Sequence, residues 1–344
     1  TLRHTLFPYT TLFRSMDGGA VNEIGISGAG ATGIYDMAAD ADALLAGGWF
    51  SRVGSTFTLN IARWDDSTTP GTWERLLDPS LEYLGVPGVV NALTADGFGT
   101  VYAGGDFNFA GETDAQNIGK LEGNSWSKLL GGVDANVSSV AVDSQGNLYA
   151  AGSFTSAGST SVAHIAMWDG TQWNNLGAGV NGTARSIVLD SNDNVYVGGD
   201  FTQAGSVAVS NVAMWDGTQW SALGSGLDDK VTSMAVGPND EIYAGGFFRN
   251  TGNGAPANLV AEFSNGAWVE IGGGIGANSY VSEMTIYNGN LLVTGKFQEA
   301  GRTTVNSIAM WDGTDWQGFD GGFTSFGTSE AIVSAVAAKD NGFF

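Results

Sequence analysis

Cysteine is absent from this 344-residue chain, which excludes disulfides, thiolate nucleophiles, zinc–cysteine sites and iron–sulfur clusters. Positive charge is scarce: 13 Lys and Arg against 35 Asp and Glu leave a formal charge of -22. No run of Lys and Arg offsets that balance anywhere, so nucleic acid and anionic membrane are poor partners. No apolar run approaches the roughly 18 residues of a membrane span, so no membrane insertion is expected. Proline is rare at 6 residues, whereas glycine is abundant at 53. Asn, Ser and Thr crowd between short apolar stretches, which suits many short strands joined by tight turns and argues against helices.

Residues Thr5 to Ser15 read TLFPYTTLFRS and look like a translated sequencing-library adapter. Residues 1–15 are therefore set apart as a non-native leader, and a native N-terminus, with any secretory signal, is expected to be missing. Without that leader, His164 is the one remaining histidine.

The rest of the chain is a repeat. A Gly-Gly-x-Phe core recurs at Gly47–Phe50, Gly104–Phe107, Ala151–Phe154, Gly198–Phe201, Gly245–Phe248 and, degenerate, Thr294–Phe297. The phenylalanine spacings are 57, 47, 47, 47 and 49. A second anchor follows each: Trp168 and Trp173 bracket Asp-Gly-Thr-Gln, and Trp215 with Trp220 and Trp311 with Trp316 do likewise. Leu121 to Trp126 and Phe263 to Trp268 are weaker copies, and Trp64 to Trp73 carries an insertion.

Within one copy, Val137–Val142 and Leu148–Ala151 read as strands around the turn Asp143–Asn147. Asp169–Gln172 would close a second hairpin and set Trp168 opposite Trp173 as a cross-strand pair. Four strands per 47 residues is the period of a propeller blade. The expected fold is an all-β propeller of four-stranded antiparallel blades. Met16–Gly25 matches the tail of a blade and Val333–Gly342 the start of one, so six complete repeats carry a half-repeat at each end. Residues 16–344 then form one domain of six to seven blades, seven if the ends pair, and read as a fragment of a longer protein.

The strand ending in Gly-Gly, as in Val195–Gly199, followed by aromatics bracketing a polar turn at Trp215 and Trp220, resembles the kelch family. The segment Ala141–Tyr149 is similar to the Asp-x-x-Gly-Asn hairpins of secreted bacterial propeller repeats. The resemblance implies a fold more than a function, because such propellers host many functions. Galactose oxidase, a catalytic kelch member, needs a cysteine-linked tyrosine and copper-binding histidines, and this chain lacks both sets.

Other candidates have plainer explanations. His164 fills a slot occupied by Asn60, Asn117 and Asn211 in sister repeats, which suits a backbone-bonding residue better than a ligand. The Asp-Gly-x-x-Trp turns are similar to sialidase Asp-boxes, and Arg52, Arg249 and Arg302 follow the core motif, but no Tyr/Glu nucleophile motif accompanies them. Asp190–Asn194 alternates oxygen side chains as a calcium loop does, yet a two-strand turn explains it and its sisters equally, so no metal or other cofactor is expected. The paired tryptophans read as packing between blades.

One slot varies freely: the residue between Gly-Gly and Phe is Trp49, Asp106, Ser153, Asp200, Phe247 or Lys296. In the usual propeller arrangement it lies at the rim of one face, with the long segments after Phe gathered around the channel. Trp49, Asp106, Asp200, Phe247 and Lys296 are the candidate binding residues. The expected function is a non-catalytic binding or scaffold module, extracellular or at the cell surface, that presents loops to a protein or glycan. The alternative is a hydrolase or lyase acting on polysaccharide in the channel, for which Asp106 and Asp200 are the candidate carboxylate pair.

Overall fold

The computed structural model describes residues 11–17, 20–27, 33–40, 43–54, 56–65, 72–76, 85–276, 279–319, 333–339 and 342–343. Every regular element among them is a strand. Six four-stranded antiparallel sheets follow one another along the chain as the blades of a propeller. Blades 1 to 6 span 33–74, 88–128, 137–175, 183–222, 231–270 and 280–318. In blade 3 the strands are Val137–Val142, Leu148–Gly152, Ile165–Trp168 and Trp173–Asn175, in that spatial order. The first strand packs against the first strands of both neighbouring blades and is therefore the inner one.

The Gly-Gly pair in the core motif has two separate causes. The second strand passes the first at a bulge, between Val137 and Ser139 in blade 3 and at the same place in its sisters. A Cβ on the second glycine would lie 2.2 Å from the Thr183 carbonyl oxygen at Gly199 and 1.9 Å from that of Val89 at Gly105, so only glycine fits. The first glycine answers to the next blade: a Cβ on Gly104 would meet a Val137 methyl at 2.4 Å, and one on Gly198 a Val231 methyl at 2.5 Å. Blade 3 carries Ala151 at this slot, and there the following blade offers Ala184 in place of valine. Ala184→Val is expected to overpack against Ala151 and cost about 1–3 kcal/mol. Adding Ala151→Gly should recover most of it, as a urea-unfolding double-mutant cycle would show.

The motif phenylalanines Phe50, Phe154 and Phe248 are buried to 1% exposure or less and anchor clusters shared by successive blades. Tyr102 and Ile118 of blade 2, for instance, pack with Val137, Leu148 and Phe154 of blade 3. Trp168 and Trp173 are cross-strand partners, with ring centroids 5.5 Å apart. The outer tryptophans also tie blades together: the indoles of Trp173, Trp220 and Trp268 donate to the carbonyls of Leu129, Leu176 and Leu223 of the preceding repeat.

The Asn60 slot has left-handed backbone, as do Asn117, His164 and Asn211. Each asparagine there accepts from the motif-Phe amide and donates to a carbonyl of the next link; Asn60, for example, joins Phe50 and Val86 at 2.7 Å each. The His164 amide bonds to the Phe154 carbonyl, but its ring Nδ1 is buried with no partner among the described residues. His164→Asn is expected to stabilise the protein by about 1–2 kcal/mol in urea unfolding, because asparagine tolerates this backbone and restores two hydrogen bonds.

The segments after the motif phenylalanine differ from the expectation. They do not gather around the channel. In five blades they form an extra two-residue hairpin, such as Ser156–Ala157 with Thr160–Ser161. This hairpin folds outward, pinned by Thr113, Thr160 and Thr303 hydroxyls that donate to the carbonyls of the outer Trp126, Trp173 and Trp316. Buried Ala157, Ala204 and Ala300 pair it with the incoming link.

The chain ends also meet. Thr11–Asp17 pairs with Ala20–Ser27 and, through Met16 and Phe343, with Gly342–Phe343, which pairs in turn with Ala338–Lys339.

Candidate binding face

All five rim candidates end the second strand of their blades, on the face that carries the links between blades. The following phenylalanine turns inward and the rim residue outward, by the alternation of a strand. Trp49 is 45% exposed, Asp106 and Asp200 are exposed, and Phe247 and Lys296 are half-buried. Each lies across from the start of its first strand: Trp49 from Gly33, Asp106 from Val89, Asp200 from Thr183 and Lys296 from Tyr280. The Phe247 amide donates to the Lys230 carbonyl at 3.1 Å.

Side chains come together on blades 5 and 6. The Lys230 ammonium sits 4.2 Å from the Phe247 ring centroid, and Phe247 stacks on Tyr280 of the next blade at 5.1 Å and 7°. Lys230 and Tyr280 escaped the sequence reading because each precedes the apolar core of its first strand, where no motif marks it; the register across from Phe247 and Lys296 was the available signal. Asp106 and Asp200 stand on blades 2 and 4 with blade 3 between them, and they are not joined by any contact among the described residues. Arg52 lies on its own outer hairpin, 5.8 Å over Phe57.

A different carboxyl pair lies at the inner edge. Asp36 of blade 1 accepts the amides of Leu93 and Met37 at 2.6 and 2.7 Å. Glu283 of blade 6 accepts the Ser233 hydroxyl at 3.0 Å and the Met284 amide at 3.3 Å. Burial raises both pKa values, Asp36 to about 7 and Glu283 to about 8, and the Asp36 charge adds to the rise at Glu283. Blades 3, 4 and 5 fill the equivalent slot with Ser139, Ser186 and Ser233, whose hydroxyls accept the amides of Ile187, Met234 and Met284 in the following blade.

On the opposite face the turns spend their carboxylates on the protein itself. Asp143 and Asp190 each accept two amides of their own turn. Asp193 takes the Ser144 amide and hydroxyl of the blade before it, and Asp240 those of Ser191. Those hydroxyls, before the amides, hold Asp193 and Asp240 below the ordinary carboxylate range. The oxygen-rich Asp190–Asn194 segment is thus one link in a belt of blade-to-blade hydrogen bonds.

Residues 179–339 match the family described as the Rax2 C-terminal beta propeller domain, and residues 125–153 match a beta-propeller repeat family. Both are propellers. The matches leave the kelch resemblance at the level of the motif. No curated protein matches the sequence. Among solved structures, the WD40 β-propeller domain of Doa1 is similar over 96% of this chain and 91% of its own, at 12% identity and a TM-score of 0.53. YCF48 bound to D1 peptide aligns over 76% of this chain and 75% of its own, at 13% identity and 0.44. A catalytically inactive virginiamycin B lyase from Staphylococcus aureus with quinupristin aligns over 77% and 78%, at 13% identity and 0.49. At these identities the likeness concerns the fold.

Proposed function

We propose that the chain is a non-catalytic binding module, extracellular or at the cell surface, that presents one propeller face to a protein or glycan partner. The observation that carries this reading is the rim slot. Its backbone is held alike in blade after blade by Gly-Gly and a buried phenylalanine, while its side chain ranges from tryptophan through aspartate to lysine. A rigid scaffold with a variable outward residue is an economical way to build a recognition surface.

The test compares the full chain with a variant whose rim residues Trp49, Asp106, Asp200, Phe247 and Lys296 are all serine, the residue blade 3 uses. Both are applied to a glycan array and to a panel of extracellular proteins, with polysaccharide cleavage assayed in parallel. Binding that the serine variant loses, with no cleavage, supports the reading; equal binding by both would place recognition elsewhere. Release of new reducing ends would establish the hydrolase or lyase reading instead. That rival draws on Asp36 and Glu283, since carboxyls with raised pKa values can act as general acids. Both are nevertheless engaged in hydrogen bonds that hold the inner strands.

We also read the terminal segments as a seventh, composite blade. Two observations support it. The Val333 amide donates to the Gly295 carbonyl at 3.2 Å. Val336 packs with Leu292 and Ile308 of blade 6, while Ala335 and Ala337 pack with Ile34 and Met37 of blade 1. Deleting residues 333–344 is expected to expose both apolar edges and lower the thermal midpoint. An unchanged midpoint would remove the idea.

A further inference from the structure

We propose that the rim of blades 5 and 6 is a subsite for the carboxylate of an acidic sugar, a hexuronate unit within a polysaccharide. This rests on the binding-module reading and names its ligand class. Lys230, Phe247, Tyr280 and Lys296 form a continuous row across two blades, each touching or in register with the next. Two of the five lysines in a chain of formal charge -22 stand in this row.

Lys230 is positioned rather than paired. Its ammonium rests on the Phe247 ring, and among the described residues no carboxylate forms an ion pair with it. The neighbouring Asp229 carboxylate accepts the Lys230 amide at 2.7 Å, and Asp228 is taken up by the amides of Arg249 and Asn250. An ammonium held on an aromatic face meets an arriving anion without first giving up an ion pair.

The backbone chooses between an acidic sugar and an acidic peptide. Peptides commonly add as a strand to free backbone donors and acceptors. On blades 3 to 5, described amides beside the rim are already used: Phe247 by Lys230, Arg249 and Asn250 by Asp228, Thr155 and Ser156 by Asp134, Thr202 and Gln203 by Asn181. What this rim offers a ligand is the Phe247 and Tyr280 rings and the Lys230 ammonium, which suit a pyranose carrying a carboxylate.

Titration calorimetry of the full chain with decagalacturonate, its fully methyl-esterified form and poly-L-glutamate of similar length tests this. Expected are binding of decagalacturonate alone, weakening steeply between low and physiological salt, and at least a tenfold loss with Lys230→Gln and with Lys296→Gln. Phe247→Leu should also weaken binding, and unchanged thermal midpoints establish that the variants are folded. Equal binding of the methyl ester, equal binding of poly-L-glutamate, or lysine variants that bind normally would each overturn the proposal. Binding of a neutral glycan that depends on Trp49 would overturn it while keeping the binding module. A chain that binds no member of the glycan and protein panels would lose both.

Discussion

Replacing Trp220 by alanine is expected to cost about 3–5 kcal/mol of unfolding free energy, the range for emptying a buried tryptophan site. The ring is 6% exposed and does three things at once. It packs at a tilt of 53° against Trp215 with ring centroids 5.4 Å apart, it covers Gly205 of the outer hairpin, and its indole donates to the Leu176 carbonyl of the preceding repeat at 2.8 Å. Trp220→Phe separates these roles: most of the packing survives, and the buried Leu176 carbonyl loses its donor at about 1–2 kcal/mol. Trp126 provides the control. Its indole nitrogen is buried with no partner among the described residues, so Trp126→Phe should cost less than Trp220→Phe in the same urea-unfolding series. Equal costs would mean that the blade-to-blade hydrogen bond contributes nothing.

The second large effect is electrostatic. In the unfolded chain Asp36 and Glu283 lose their protons near pH 4; in the folded chain they hold them to about 7 and about 8. Between those limits the native state binds more protons than the unfolded one, so stability falls as pH rises from about 4 through about 8. The double change Asp36→Ser with Glu283→Ser installs the residue that blades 3 to 5 already use. It is expected to stabilise the protein at pH 8.5 by on the order of 2 kcal/mol and to do little at pH 4. Asp193 and Asp240 act with the opposite sign: their pKa values are lowered, so their contribution is present above the unfolded carboxylate pKa and lost as pH falls through the folded one. Urea unfolding at pH 5, 7 and 8.5 checks the pair; parallel pH slopes for wild type and variant would show that the two carboxyls are not the cause.

Much of the fold was legible because it is local and repeated. Gly-Gly-x-Phe, the turn at Asp143 and the Trp168–Trp173 hairpin each lie within a dozen residues, and their register shows in every copy. The outward hairpin at Ser156–Ser161 was not legible, since what turns it is a hydroxyl at Thr160 reaching the Trp173 carbonyl on a different strand. The candidate face was half legible. The slot of Phe247 could be read from the repeat, but its stacking on Tyr280 depends on how neighbouring blades sit together. The inner carboxyls were missed for a similar reason. Aligned against Ser139 and Ser186, Asp36 and Glu283 look like ordinary polar substitutions, and only their position at the inner edge gives them weight.

The compensation between Ala151 and Ala184 has a consequence for how such rings can be assembled. An array made by copying blade 3 would set every Ala151 methyl against a Val137 side chain, where the native chain keeps a glycine. Blades 3 and 4 are therefore keyed to each other, and a shuffled or consensus propeller built from these units has to inherit the two as neighbours, in that order.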